Sequence, residues 1–383
     1  MDGGAVAVAP VHSENDWRDF HNLRRKIYEH DRAAVMPLVR DERLLLDPGR
    51  HPFWQHAERE VFLARRDDRV VGRIAAIVDR QHQEFHSERT GFFGFFECQN
   101  DLAIATALIR TAADWLLDRN CLSIRGPASP SMKGEFGVVV EGNEAAPSVM
   151  MPHTPAWYDP LLRGCGLAPT HDFVGFTLTR DEVLARRDHW QKLSEICKRI
   201  LARHPELEVC NGTTANVAET LREVNRLSNR VRASNYGFVP ITDAETEFLI
   251  ARLRRVIIPE LVITVRRAGE IVGATISIPD VNWALARTFG RSDLVRLAQM
   301  PFLLRRIPRV RLVAQGADPK FRTAGVVSLL FFKTMETALP RFKEAEFSWM
   351  STENLAPIKA LQHILPMETS IRFRLYEAVL PLV

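Results

Sequence analysis

The chain has 383 residues, of which 46% are hydrophobic, 26% charged and 8% aromatic. That length points to two domains, and the composition supplies a full apolar core, which excludes disorder, a collagen-like repeat and a coiled coil. A formal charge of +4 and a pI of about 8.9 fall short of the imbalance of a dedicated nucleic-acid binder and suit anionic small ligands or a lipid surface.

The five cysteines, Cys98, Cys121, Cys165, Cys197 and Cys210, are scattered and form no CxxC pair. Neither a disulfide frame nor a metal site is expected, and a reducing compartment is the simplest reading. The short Ala/Val run near the N-terminus has no basic stretch before it, so no signal peptide is expected. The cleanest apolar run, Val326 to Phe332 with Ser328 inside it, is far too short for a membrane span. These features predict a cytoplasmic protein, with peripheral contact to the inner membrane left open.

In chain order, the first clear element is VFLARRDDRVVGRIAAIVD, Val61 to Asp79, two alternating strands around a turn at Asp67-Asp68. An apolar strand follows at Gly91 to Glu97. Next come a helix from about Asp101 to Asp118, with Asn100 as its expected cap, and a strand at Cys121 to Gly126. A further strand lies at Phe173 to Leu178. Helices are then predicted at Arg180 to Arg203 and Ala215 to Arg232, and from Thr242, which forms a capping box with Glu245, to Ile258. A second hairpin, VITVRRAGEIVGATISIPD, runs from Val262 to Asp280. After it come a strand at Val310 to Gly316, a helix at Val326 to Leu339, and strands at Glu346 to Met350 and Ile371 to Leu380.

The two hairpins align without a gap at a spacing of 201. Seven of 19 positions are identical: Val61/Val262, Arg65/Arg266, Arg66/Arg267, Val71/Val272, Gly72/Gly273, Ile77/Ile278 and Asp79/Asp280. The elements after each hairpin also correspond, so the chain reads as an internal repeat of the α/β (α+β) class. Two tandem domains are expected, 1–180 and 206–383, each a mixed twisted sheet flanked by helices, with 181–205 as a helical linker.

In the second copy, strand gives way to helix at Arg322, Thr323, Ala324, Gly325, Val326 and Val327. Backbone N–H groups at a helix N-terminus, backed by the helix dipole, favour pyrophosphate. Gly325 allows close approach and Arg322 adds charge. The first copy has Cys98 to Asp101 at the same junction, with neither glycine nor arginine and with a carboxylate where phosphate would lie. A ligand site of this kind is therefore expected in the second copy alone.

These features resemble the GNAT superfamily, whose members bind CoA at this junction through an R/Q-x-x-G-x-G/A loop. Arg322 and Gly325 match it, and Val327 replaces the last small residue. The strings GFFGFFE, IRGPASPSMKGEFGVVVEG, VMMPHTPAWY, NYGFVPIT, SIPDVN, SWMSTENLAPIKAL and RFRLYE resemble a bacterial family of tandem GNAT N-acyltransferases, one branch of which looks like ceramide synthases. They span nearly the whole chain.

The resemblance implies transfer of a fatty acyl group from acyl-CoA, a co-substrate rather than a resident cofactor, to the amine of a long-chain base such as 3-ketosphinganine. An acetyl-CoA-dependent N-acetyltransferase and a non-catalytic GNAT-like binding protein are the alternatives. It also implies that Val313, Gln315, Gly316 and Ala317 form the CoA wall, with Asn354 near the CoA arm. The usual tyrosine acid is absent, Leu361 standing in its place, and Tyr236 or Tyr376 would substitute.

Direct N-acyl transfer requires a free amine, an oxyanion donor and an outlet for the thiolate, and no covalent intermediate. Base candidates are Asp280, Glu353, Glu135 and His153. Each also has a plainer reading: a turn cap for Asp280, a backbone-bonded loop histidine for His153, and solvated loop residues for Glu135 and Glu353. Glu97, Met151, Tyr158 and Asn282 fall in the family-like strings and are expected at the acceptor pocket, to which the first copy would contribute, or which it would scaffold.

The segment from Arg287 to Arg311 holds seven arginines and one acid, Asp293, interleaved with apolar residues. It either lies on an anionic membrane surface or packs as a connector on the sheet. No nucleic-acid or metal partner is expected.

Overall fold

Each repeated hairpin closes through two residues of positive φ, Asp67 (50°) and Asp68 (60°) in the first, Ala268 (50°) and Gly269 (84°) in the second. Consecutive left-handed residues form the primed turn whose twist matches that of paired strands. A computed structural model describes residues 4–288, 291–322, 324–353, 359, 362 and 367–382.

In chain order its main elements are β1 (Ala7–Pro10), α1 (Glu14–Ile27), β2 (Ala57–Arg66), β3 (Arg69–Asp79), β4 (Thr90–Cys98), α2 (Leu102–Leu117), β5 (Ser123–Gly126), β6 (Val138–Glu141) and β7 (Ala168–Thr179). They continue with α3 (Arg187–Arg203), β8 (Leu207–Asn211), α4 (Val217–Val231), α5 (Asp243–Leu253), β9 (Val262–Arg267), β10 (Glu270–Pro279), α6 (Asp293–Leu304), β11 (Arg309–Ala317), α7 (Val326–Ala338), β12 (Glu344–Ser351) and β13 (Thr369–Val379).

The chain divides into two compact units. One comprises Met1–Phe173, Leu285–Asp293 and Ile371–Val383; the other comprises Val174–Ala284 and Leu294–Ser370. In the first unit the strand order is β1–β2–β3–β4–β5–β13, with β6 also on β13. Helix α2 covers one face of this sheet: a Cβ at Gly72 would meet Leu108 and Ile104 of α2. The next residue, Arg73, reaches the carbonyl of Phe20 in α1 on the opposite face, as strand alternation requires.

The second unit repeats the plan, with order β7–β12–β11–β10–β9–β8. Gly273 faces Val326 and Leu330 of α7, while Ala274 packs with Val224, Leu227 and Val231 of α4. Helix α3 packs into this second core through Leu193 and Cys197.

The correspondence extends to an irregularity. Ala64 pairs with Gly72 and Arg65 with Val70, leaving Val71 as the extra residue of a bulge. Val265 pairs with Gly273 and Arg266 with Ile271, leaving Val272 at the same spacing of 201.

Local structure departs from expectation in two places. Helix α2 is capped by Asp101, not Asn100, because the Asp101 carboxylate accepts from the N–H groups of Ala103 (2.9 Å) and Ile104 (3.3 Å). The helix expected from Arg180 to Arg203 breaks at Arg186, whose φ of −107° and ψ of 44° leave the helical range. The capping box of Thr242 and Glu245 forms at the start of α5.

Candidate functional site

In the second unit β11 is the central strand of the site. Against β10 it is bulged: Ala314 pairs with Ile276 and Leu312 with Ser277, so Val313 has no opposite residue. Against β12 it forms a short parallel ladder, from Arg309/Glu344 to Leu312/Phe347. Both strands run on beyond it, β11 to Ala317 and β12 to Ser351. The β12-facing edge of Val313 to Gly316 therefore borders a gap, where backbone polar groups need a partner other than a strand.

At the end of β11 the chain passes through a short helix, Pro319–Arg322, to Gly325, which caps α7 in the left-handed region (φ 79°, ψ 16°). The N-terminal end of α7 with its dipole thus starts close after the gap. The backbone conformation favours glycine there, and a Cβ would stand 2.5 Å from Ile200 Cδ1 of α3, whose side chain would have to move.

Helix α4 crosses the other face of β10 and β11. The small residues Ala274, Ala314 and Gly316 leave space beneath Val224, Leu227 and Val231, forming a small apolar pocket of about 20 Å³ that opens to solvent. Arg232 and Ser228 complete its wall. Burial pulls the Arg232 guanidinium below its ordinary pKa, and among the described residues no ion pair holds it. Gln315 turns its amide to the opposite face, toward the Val327 carbonyl (3.4 Å).

Beside these strands lies a buried ionic group. Asp280 is fully enclosed and accepts from Arg309 Nε (2.8 Å) and Nη2 (2.6 Å), while its other oxygen accepts from the Asn282 N–H (3.2 Å). Arg311 donates to Ser348 Oγ (3.0 Å), and Ser348 donates to Glu346 (2.8 Å). Burial lowers the pKa of Arg311, against the pull of Glu346 and Asp280.

The first unit closes the equivalent places with its own residues. The paired residues Ala274 and Gly316 correspond in spacing and register to the paired residues Arg73 and Glu97. Arg73 bonds the Phe20 carbonyl (2.8 Å) and Glu42 (2.9 Å), and lies 3.7 Å from Glu97. Glu97 also meets Arg24 (3.2 Å) and the Tyr158 hydroxyl (2.7 Å), and Arg24 reaches on to Glu135 (3.4 Å). His21 bonds Glu42. Burial pushes the pKa of Glu97 up, against both arginines.

The gap beyond the first unit's parallel ladder, which runs from Thr90/Ser123 to Phe92/Arg125, is filled too. The Ala128 carbonyl sits where a Cβ on Gly94 would point, and Ser129 Oγ accepts from the Phe95 N–H (2.8 Å). Asp101, held by Arg66 at 2.7 Å, satisfies the N-terminus of α2. Pocket, strand edge and helix end are all taken.

The structure thus gathers Glu97, Tyr158 and Glu135 around Arg24. His153 joins them at one remove: its carbonyl accepts from Tyr28 (3.1 Å), a second hydroxyl on Glu97, and its Nε2 meets Asp31 (2.7 Å). Met151 is buried nearby in sequence and bonds the Ser148 carbonyl (2.9 Å). Tyr376 has its hydroxyl on Asp159 in the first unit.

In the second unit Val313, Gln315, Gly316 and Ala317 lie on β11, and Gly325, Val326 and Val327 at the start of α7. Asp280 and Asn282 share a turn, Tyr236 lies between α4 and α5, and Glu353 is exposed after β12. Thr323, Asn354 and the side chain of Arg322 lie outside the described residues.

Sequence reasoning missed Arg24, Tyr28, Arg73 and Arg232. Arg73 had a readable signal, a cation inside the unbroken apolar run of β3. So did Arg232, which directly follows the apolar stripe Leu221, Val224, Leu227, Val231 of α4.

No group of three or more His, Cys, Asp and Glu among the described residues could hold a metal, and no described helix is long and apolar enough to cross a membrane. No family model matches the chain. A protein of Caulobacter vibrioides (strain NA1000 / CB15N) named bacterial ceramide synthase is 28% identical over 381 residues, covering 97% of this chain and 96% of its own. Protein YghO of Escherichia coli (strain K12) is 25% identical over 374 residues, covering 95% and 93%. A solved tandem GNAT protein from the clavulanic acid biosynthesis pathway superposes with a TM-score of 0.54 over 98% of each chain, at 12% identity, a likeness of fold. The chain has the fold of a tandem GNAT protein, and its sequence is similar along almost its whole length to a bacterial ceramide synthase.

Proposed function

We propose that the protein is an acyl-CoA-dependent N-acyltransferase that moves a fatty acyl group onto the amine of a long-chain sphingoid base, with 3-ketosphinganine as acceptor. The observation that carries the reading is the open apolar pocket of the second unit, beside a strand that has left its ladder, at the place where the first unit holds an ion-paired plug. The relative named as a ceramide synthase supports the acceptor class.

In this reading CoA lies along β11. Backbone groups of Val313, Gln315, Gly316 and Ala317 meet pantetheine and the thioester oxygen, the turn from Arg322 to Val327 meets pyrophosphate, and Asn354 meets the CoA arm. The pocket under α4 takes hydrocarbon. The amine nitrogen attacks the thioester carbon, the C–S bond breaks, and the departing thiolate takes up the proton that nitrogen loses, giving amide and free CoA.

An ammonium cannot attack, and a nearby like charge disfavours it. Arg232, a cation with no counter-ion on the pocket wall, is therefore set beside the reacting amine, favouring its free base. Asp280, committed to Arg309, is a positioning residue. The first unit is a scaffold without a CoA site. Because long-chain bases partition into bilayers, the same reading brings the enzyme to the cytoplasmic membrane surface.

The test is release of free CoA by purified protein from an acyl-CoA chain-length series with 3-ketosphinganine in detergent micelles. Long chains should react and acetyl-CoA should not. Release with acetyl-CoA alone would favour an N-acetyltransferase, and no release at any length would sink the reading. Gly325→Trp should abolish CoA binding, although it also strikes Ile200, so its melting temperature must be read alongside. Asp101→Ala in the first unit should leave CoA affinity unchanged.

A further inference from the structure

The arginine-rich segment divides sharply by burial. Arg296 is 1% exposed and Arg311 3%, and Arg309 is ion-paired with Asp280. These arginines belong to the interior of the second unit. Arg305 and Arg306, by contrast, are exposed at the end of α6.

The rest of α6 is unusual for an exposed helix. Leu294 is 81% exposed, Phe302 59% and Val295 43%, and Ala298 and Pro301 are exposed as well. At 3.6 residues per turn these side chains fall within one arc of about 120°, and Arg305 and Arg306 follow in the turn directly after the helix. Arg296 and the core-packed Leu304 lie on the opposite side. The guanidinium of Arg306 lies 4.0 Å over the Phe302 ring, so charge and apolar surface adjoin. From Leu294 to Pro308 there is no Asp or Glu.

Contiguous exposed apolar surface of this kind marks an interaction site. An apolar helical face joined to arginines, with no acid, complements a surface that is hydrocarbon below and anionic above. A protein partner's acidic groove would pair with the arginines but would not account for leucine, valine, proline and phenylalanine presented together on one helix face.

We propose that α6 docks the enzyme in-plane on an anionic lipid bilayer, with Leu294, Val295 and Phe302 in the acyl-headgroup boundary and Arg305 and Arg306 on lipid phosphates. The proposal rests on the lipid acceptor for its purpose but not for its test.

The full-length protein is sedimented with vesicles of phosphatidylcholine alone, and with vesicles containing about a third phosphatidylglycerol. Binding should be at least about tenfold stronger to the anionic vesicles and should weaken as NaCl rises from about 0.1 M to about 0.5 M. Leu294→Ser with Phe302→Ser should lose about tenfold of that binding, as should Arg305→Glu with Arg306→Glu. Melting temperature and CoA release in detergent micelles should not change.

The proposal is overturned if the native protein ignores anionic vesicles or if both double variants bind them like the native protein. A change from dimer to monomer in the variants, with vesicle binding intact, would overturn it too and make a second copy the occupant. Failure of CoA release in micelles would count against the proposed reaction alone.

Discussion

Gly316→Leu should convert the second unit's pocket toward the closed state of the first. Gly316 faces α4, and the nearest atom to a Cβ there is Val231 Cγ2 at 3.3 Å. A leucine side chain must therefore enter the small apolar pocket between β11 and α4. Excluding about two to three methylenes of a bound chain from it, at about 0.8 kcal/mol per buried CH₂, costs about 2 kcal/mol. That loss corresponds to about 30-fold in affinity.

The assay is kcat/KM across an acyl-CoA series at fixed base, and across a series of amines of rising chain length at fixed acyl-CoA. In one series the long members should lose about 30-fold and the short ones little, and that series identifies which chain the pocket holds. An equal loss at every length, with the melting temperature unchanged, would refute the assignment of the pocket to hydrocarbon.

In the proposed reaction Arg232→Met removes the cation set beside the bound amine, so the acidic limb of the pH–kcat profile should move up by about one unit; an unmoved limb counts against that role. Asp280→Asn breaks a buried pair and should cost about 3 kcal/mol of stability, read as a fall in melting temperature. A large loss of kcat at unchanged stability would instead make Asp280 the base. In the first unit, a hydrogen bond from His82 and then the charge of Arg125, against burial, hold Glu88 down to a pKa of about 2. Its folded pKa lies below the unfolded value, so its contribution is present above about pH 4.5 and lost as pH falls through about 2. Glu88→Gln should cost about 1 kcal/mol at pH 7, after screening of this partly exposed group, and almost nothing near pH 2. Thermal melts at the two pH values check it.

The hairpins were legible because strand alternation and turn chemistry are local, and even the shared bulge lies inside the stretch that aligned. The start of α7 was legible through Gly325, whose positive φ only glycine adopts at low cost. The closure of the first unit was only half legible. Asp101 announced itself as a carboxylate at a helix start, but the partners of Glu97 come from positions 24, 73 and 158, and such long-range pairing has no periodic trace. The string GPASP was conspicuous, yet its role in filling the gap beside Gly94 depends on tertiary placement. Tyr376 drew attention through its place in a family-like string, and no local pattern announced that its hydroxyl meets Asp159.

The ionic plug of the first unit also acts as a ratchet on how the two halves can diverge. Arg73 and Glu97 are 1% and 5% exposed, and each has a further partner, Glu42 for Arg73 and Arg24 for Glu97. Removing either alone leaves the remaining buried charges out of balance, at a cost of about 3 kcal/mol, a large share of the stability of a typical domain. Reopening that half to a ligand would require several coupled substitutions at once, whereas closing the second half requires one. The asymmetry between the halves is easy to enter and hard to leave.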